Sequence, residues 1–115
     1  MTVNLKRIYA PYSESDGYRV LVERLWPRGT AKEKAHVDLW LREIGPSTEL
    51  RKWFNHEDSK WDTFVEKYSQ ELSGNNSVTL LQQIISTHPI VTLIFSSRNE
   101  EHNNAVALKS ILSKS

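Results

Sequence analysis

The sequence predicts an α/β layered domain with a short, mainly parallel sheet flanked by helices, and three observations carry that prediction. Apolar strand-like runs are separated by stretches of helical periodicity, the order expected of a parallel sheet. IVTLIF (90–95) is β-branched, short and almost free of polar alternation, as an interior strand covered on both faces is. No repeat, low-complexity tract or linker divides residues 1–115, which form a single expected domain able to bury one core without disulfide or metal staples.

Along the chain, VNLKRIY (3–9) reads as a strand ending before Pro11, and SESDG (13–17) is turn chemistry, with Gly17 free to take a positive φ. YRVLVERL (18–25) is the second strand, stopped by WPRG because Pro27 has no N–H for a ladder. Only about eight residues join these two strands, against the dozen or more usual for a parallel crossover, which leaves an antiparallel hairpin open. Residues 31–45 carry both periods: Val37, Trp40, Leu41 and Ile44 at helical spacing, Val37, Leu39 and Leu41 in alternation. A helix is favoured there, because Gly45-Pro46 is a good terminator.

Ser47 or Thr48 then caps a short helix through Phe54. Asp58 or Ser59 caps the clearest helix of the chain, whose apolar face is Trp61, Phe64, Val65, Tyr68 and Leu72, with Gly74 just beyond it. Another helix spans residues 77–88 and stops at Pro89. After the 90–95 strand, AVALKSILSK is helical, with Ser97 or Asn99 as its expected cap and Glu100 and Glu101 at its positive end.

Composition narrows the function. Fifteen Lys and Arg against fourteen Asp and Glu leave a formal charge of +1, too little for a protein that coats nucleic acid, although a local basic pocket stays open. With no cysteine there is no thiol catalysis and no Cys-based zinc site, and the composition fits a reducing compartment. His36, His56, His88 and His102 lack ligand spacing, so no metal is expected. No phosphate-binding glycine loop or dinucleotide fingerprint occurs, so no cofactor is expected either. No G-x-S-x-G elbow is present, which leaves Ser96 or Ser97 as a weak nucleophile option. The N-terminus lacks a signal-peptide core, and no apolar run nears the roughly 20 residues needed to cross a bilayer, so a cytoplasmic protein is expected. Nothing in the pattern sets an oligomeric state.

In open α/β sheets, ligands bind beyond the C-terminal strand ends. Two such ends are rich in polar groups: Glu23, Arg24, Trp26 and Arg28 after the second strand, and SSRNEEHNN (96–104) after IVTLIF. If those strands are parallel neighbours, the two clusters meet. Arg24, Arg28 and Arg98 would then clamp an anion beside Trp26, since a guanidinium binds phosphate or carboxylate in bidentate fashion. Glu23 and His102 are the candidate proton-transfer groups, and Asn103 would orient the ligand. The structural alternative pairs Arg24 with Asp38 or Glu100. The segment PSTELRKWFNHE places Arg51, Lys52 and His56 as a further pocket rim, although an amphipathic helix and polar turn account for them more simply.

DGYRVLVERLWPRG, DLWL, PSTELRKWF and EEHNNAVAL, in this order and spacing, resemble the YeaO-like branch of the bacterial domain-of-unknown-function family 488 over nearly the whole chain. The resemblance implies a small Rossmann-like α/β domain of a bacterial cytoplasm and would replace the hairpin by a parallel arrangement. It implies no activity. Glu23 stands where that pattern generally has Asp, and Asn99 replaces a usual Asp; a catalytic carboxylate at 99 would be lost here. Arg24, Pro27, Arg28, Gly29, Glu101, His102 and Asn103 match it.

The first expectation is therefore an enzyme or binder of a small anionic, nucleotide-like or phosphorylated ligand. The alternative is a nucleic-acid or protein-binding module with Arg28, Lys32, Lys34, Arg51 and Lys52 as its rim and tryptophans as stacking surfaces. A third has structural arginines and no ligand.

Overall fold

The computed structural model describes residues 2–114. Four strands and four α-helices follow one another along it: β1 (Thr2–Arg7), β2 (Tyr18–Leu21), β3 (Leu39–Trp40), α1 (Thr48–Phe54), α2 (Trp61–Leu72), α3 (Asn76–Thr87), β4 (Ile90–Phe95) and α4 (Asn104–Ser113). The sheet order is β1-β4-β2-β3 and every pairing is parallel. β4 is the interior strand that its composition predicts, with residues Val91–Phe95 buried.

There is no hairpin between the first two strands, because β4 lies between them. The ten residues 8–17 have to cross one strand and return to the other end of the sheet. Extended chain reaches at most about 3.3–3.6 Å per residue, so roughly 30 Å is available and no crossover helix is needed. Gly17 completes that return with φ +66°.

The helix expected over 31–45 does not form. That segment holds two short 3-10 turns, Lys32–Lys34 and Arg42–Ile44, on either side of β3. Its strand periodicity wins because β2 offers partners: Asp38 N–H donates to Arg19 O at 2.9 Å, and Leu41 N–H to Leu21 O at 2.9 Å. Asp38 also accepts the Arg19 N–H on its carboxylate at 2.8 Å, and His36 takes a left-handed φ of +53° that no α-helix contains. The second strand is shorter than expected, since ladder pairing ends at Leu21 and the next residues turn away into the site.

The sheet covers two cores. Val20, Val22, Val91, Leu93 and Phe95 pack with buried residues from all four helices, among them Leu50, Phe64, Tyr68, Leu81 and Leu108. Leu21 and Ile94 point the other way, into a smaller cluster with Ile8, Ala35, Trp26, Val37 and Trp40, supplied by the segment that fails to become a helix. Tyr68 is fully buried, and its hydroxyl donates to Ile44 O, which ties α2 to the end of that segment.

Two expected caps are replaced. Lys60 precedes α2 and makes no side-chain cap, while Asp58 is used elsewhere. α4 starts at Asn104, so Glu100 and Glu101 lie before it, and its cap is Asn103, whose side chain accepts the Val106 N–H at 2.9 Å. Asn is among the best N-cap residues, which accounts for an Asn pair that is poor inside a helix.

Candidate functional site

β2 and β4 are parallel neighbours, so their C-terminal ends share one edge of the sheet. A cleft of about 740 Å³ opens there. Glu23 lines it from the exit of β2, Ser96, Ser97, Arg98 and Asn99 from the exit of β4, and His102, Asn103 and Asn104 from the approach to α4. The third wall is α1 and the turn behind it, with Arg51, Lys52, Phe54, Asn55 and His56.

The sharp turn that brings in this wall uses two successive left-handed residues, Asn55 at φ +46° and His56 at φ +56°. Asn tolerates this conformation as the C-cap of α1, whereas His adopts it at some cost, of a kind that concentrates at ligand sites.

Glu23 joins the two strand ends: its Oε2 accepts the Ser96 N–H at 3.1 Å, while its own carbonyl accepts the Trp40 indole N–H at 2.6 Å. Burial pushes its carboxyl above the ordinary value, against the opposing pull of the Ser96 N–H, the Arg51 charge and the Asn104 amide. His102 stacks on Trp61 with centroids 4.6 Å apart, and its Nδ1 lies 2.9 Å from Asp58 Oδ1. In the neutral ring, that carboxylate keeps the proton on Nδ1 and leaves Nε2 as an acceptor.

Asn99 is a structural hub. Its side-chain oxygen accepts the Glu101 and His102 N–H groups at 2.9 Å each, and its side-chain nitrogen lies 3.3 Å from Asp58 Oδ1. The Asn103 amide has both ends engaged, with Val106 N–H and with Asn99 O at 2.8 Å.

Of the residues singled out in the sequence, Glu23, Arg98, His102 and Asn103 come together at this cleft, and Arg24, Trp26 and Arg28 do not line it. Arg24 meets neither Asp38 nor Glu100. Its guanidinium donates to Pro46 O at 3.1 Å and to Gly45 O at 2.9 Å. Gly45 is needed for that approach, since a Cβ there would lie 2.7 Å from the Arg24 backbone nitrogen. Trp26 donates to Thr30 O and packs edge-on against Trp40 in the smaller core. Arg28 is exposed, and its carbonyl takes the Tyr9 hydroxyl.

Arg98 also borders a second, shallower hollow of about 400 Å³ with Arg7, Tyr9 and Ser96. The cations the sequence placed at a further rim, Arg51 and Lys52, line the main cleft, whereas Lys32 lies over Trp26 and Trp40 at the smaller core. Asp58 was legible only as a helix cap; its partner His102 is 44 residues away, and no local signal marks the pair.

These contacts make Arg24 a structural residue. Replacing it with alanine is expected to lower stability by about 1.5–3 kcal/mol, the loss of charge-assisted bonds to two carbonyls. Denaturant unfolding measures that loss, and the response of the folded variant to phosphate should stay that of the parent; a selective loss of that response would put Arg24 in the site.

Among the described residues, no group of three His, Asp or Glu side chains is placed to hold a metal ion, and no helix is long and apolar enough to cross a membrane. The fold and cleft thus define a small parallel α/β domain with a cation-bordered cleft at its strand ends. The chain belongs to the DUF488 family: residues 2–115 match the family model described as the inactive DUF488-N3 subclade. It is 43% identical to uncharacterized protein YeaO of Escherichia coli K12 over 108 residues, 94% of each chain. It is also 32% identical to uncharacterized protein Rv3073c of Mycobacterium tuberculosis H37Rv over 110 residues, 96% of this chain and 92% of that one. No solved structure matches it. The four sequence motifs thus resemble the family to which the chain belongs.

Proposed function

We propose that this protein binds a small anionic, phosphorylated ligand in the cleft without turning it over. One observation carries the reading. Arg51, Lys52 and Arg98 line a single cleft, and none has a side-chain hydrogen bond or salt bridge to another described residue. Other cations are engaged within the protein: Lys6 and Arg19 share Asp16, and Lys60 pairs with Glu57. Among the described residues, the only carboxylate lining the cleft is Glu23, already held by the Ser96 N–H. Three permanent cations against one carboxylate make an anion-attracting pocket, and two of the three are guanidinium forks suited to phosphate.

Two observations support binding over catalysis. The matching subclade is described as inactive. Position 99, at the mouth of α4, holds an amide committed to local N–H groups in place of an ionisable carboxyl. Glu23 and His102 remain the only candidates for proton transfer among the residues the sequence pointed to.

The reading is tested by thermal unfolding at low ionic strength with inorganic phosphate as the probe. Phosphate is expected to raise the melting temperature, corresponding to about 2.7 kcal/mol at a concentration a hundredfold above Kd. Arg98→Met should weaken phosphate binding by about tenfold or more, because a hydrogen bond to a charged group is lost. Its unliganded stability should stay within about 0.5 kcal/mol of the parent, since Arg98 is exposed. No shift with phosphate or with phosphomonoesters would end this reading.

A further inference from the structure

We infer that the cleft takes a hydroxylated phosphomonoester, of the sugar-phosphate class, with its phosphate on Arg51, Lys52 and Arg98 and a ligand hydroxyl on Glu23. This rests on the anion-binding reading and adds the identity of the rest of the ligand. The cleft carries charges of both signs. Its cations come from α1 and the exit of β4, whereas the exit of β2 contributes a carboxylate. A second anion placed against Glu23 would be repelled, so the part of the ligand meeting it has to donate hydrogen bonds.

Glu23 has the capacity to accept them. A carboxylate offers about four acceptor sites. The Ser96 N–H occupies one at 3.1 Å, and the Ser96 hydroxyl and the Asn104 amide, which also donates to Val22 O at 2.7 Å, act on the same carboxyl, which leaves room for one further donor. Keeping a carboxylate in this partly enclosed place is unfavourable in itself, as the upward push on its proton affinity shows. A hydroxyl from the ligand supplies the compensation.

A nucleobase is less well served. Phe54 and Phe64 are 7% and 2% exposed and pack on each other at 4.5 Å, so neither offers an open ring face. Trp61 has His102 stacked on it. With no open phenyl or indole face among the lining residues, an adenine ring would gain little over the sugar phosphate alone. A volume of about 740 Å³ accommodates a ligand of this size.

The test is calorimetric titration of the full chain with inorganic phosphate, ribose phosphate and adenosine monophosphate, repeated on Glu23→Gln. The parent should bind ribose phosphate at least about tenfold more tightly than inorganic phosphate, one hydrogen bond to a charged acceptor being worth that much. Adenosine monophosphate should bind no more tightly than ribose phosphate. Glu23→Gln keeps a side-chain oxygen for the Ser96 N–H and removes a charge that burial disfavours, so it should melt no lower than the parent near neutral pH. It should nonetheless bring ribose phosphate and inorganic phosphate to similar affinities.

Equal affinities for the two probes in the parent, or a preference that survives in Glu23→Gln, would overturn this inference and leave the anion-binding reading standing. A large gain with adenosine monophosphate would overturn the sugar-phosphate class in favour of a nucleotide. Binding of none of the three would remove both. The comparison within the parent decides the matter even if the variant fails to fold.

Discussion

Arg19→Ala is expected to cost about 3–5 kcal/mol, the range for breaking a buried ion pair by removing one partner. Arg19 is 1% exposed in the middle of a strand, where an arginine is rarely found unless every donor is used. Here its guanidinium holds Asp16 and the carbonyls of Ala35 and His36, while its backbone N–H meets Asp38. Removing it would leave Asp16 with Lys6 as its one cationic partner among the described residues and would untie the 26–41 segment from the sheet. Burial pushes the Asp16 carboxyl up, but Lys6, the Ser13 N–H and Arg19 together outweigh it and hold the group below its ordinary value. A carboxyl depressed in the folded state stabilises fully above its unfolded pKa, and that contribution is lost as pH falls through the folded value. Urea unfolding should therefore show a parent–variant gap that is widest near neutrality and shrinks in acid. Asp16→Asn combined with Arg19→Met should cost less than the sum of the single changes. A gap independent of pH would mean that the pair is not the source.

Gly17→Ala is expected to lose about 3–5 kcal/mol, measured in the same way. Gly17 has φ +66° and ψ −134°, a region that side-chain-bearing residues hardly enter. A Cβ there would lie 2.3 Å from Ile90 O, a backbone atom at the start of β4 that cannot move aside cheaply. Strain of about 1–3 kcal/mol and overpacking of similar size act at the same point. Because residues 8–17 return the chain to the start of β2 without an α-helix, this loss falls on the placement of β2 against β4 and hence on the cleft. A cost under about 1 kcal/mol would show that the turn can relax and that this close approach is not required.

What the sequence reveals of the fold depends on how local each signal is. IVTLIF and the Trp61–Leu72 stripe carry their environment in their own composition, and both elements form where expected. Residues 31–45 carry two periods, and the choice is made by Arg19 and Leu21 on another strand, which no local pattern contains. Gly45-Pro46 looks like a helix terminator, yet Gly45 answers a different need, the backbone of Arg24 at close range.

The same distinction holds at the cleft. The strand-end rule finds Glu23, Arg98 and His102 because it needs only the order of strands and the polarity of the residues just beyond their ends. It does not tell which way an arginine turns once its strand has ended. Arg24 turns to the carbonyls of Gly45 and Pro46, and two of the three cations lining the cleft come instead from α1, where an amphipathic helix was explanation enough. The Asp58–His102 pair is set by packing between α2 and α4, whose first turns lie far apart in the chain.

The central claim is that the cleft between the β4 exit and α1 is where an anion binds. A nitrogen–proton correlation spectrum recorded during titration with inorganic phosphate tests it most directly. The expected result is saturable movement of the Ser97, Arg98, His102, Arg51 and Lys52 amide signals, with those of Arg28, Lys32 and Lys34 unmoved. Movement centred on Arg28 to Lys34, or none at any concentration, would contradict it.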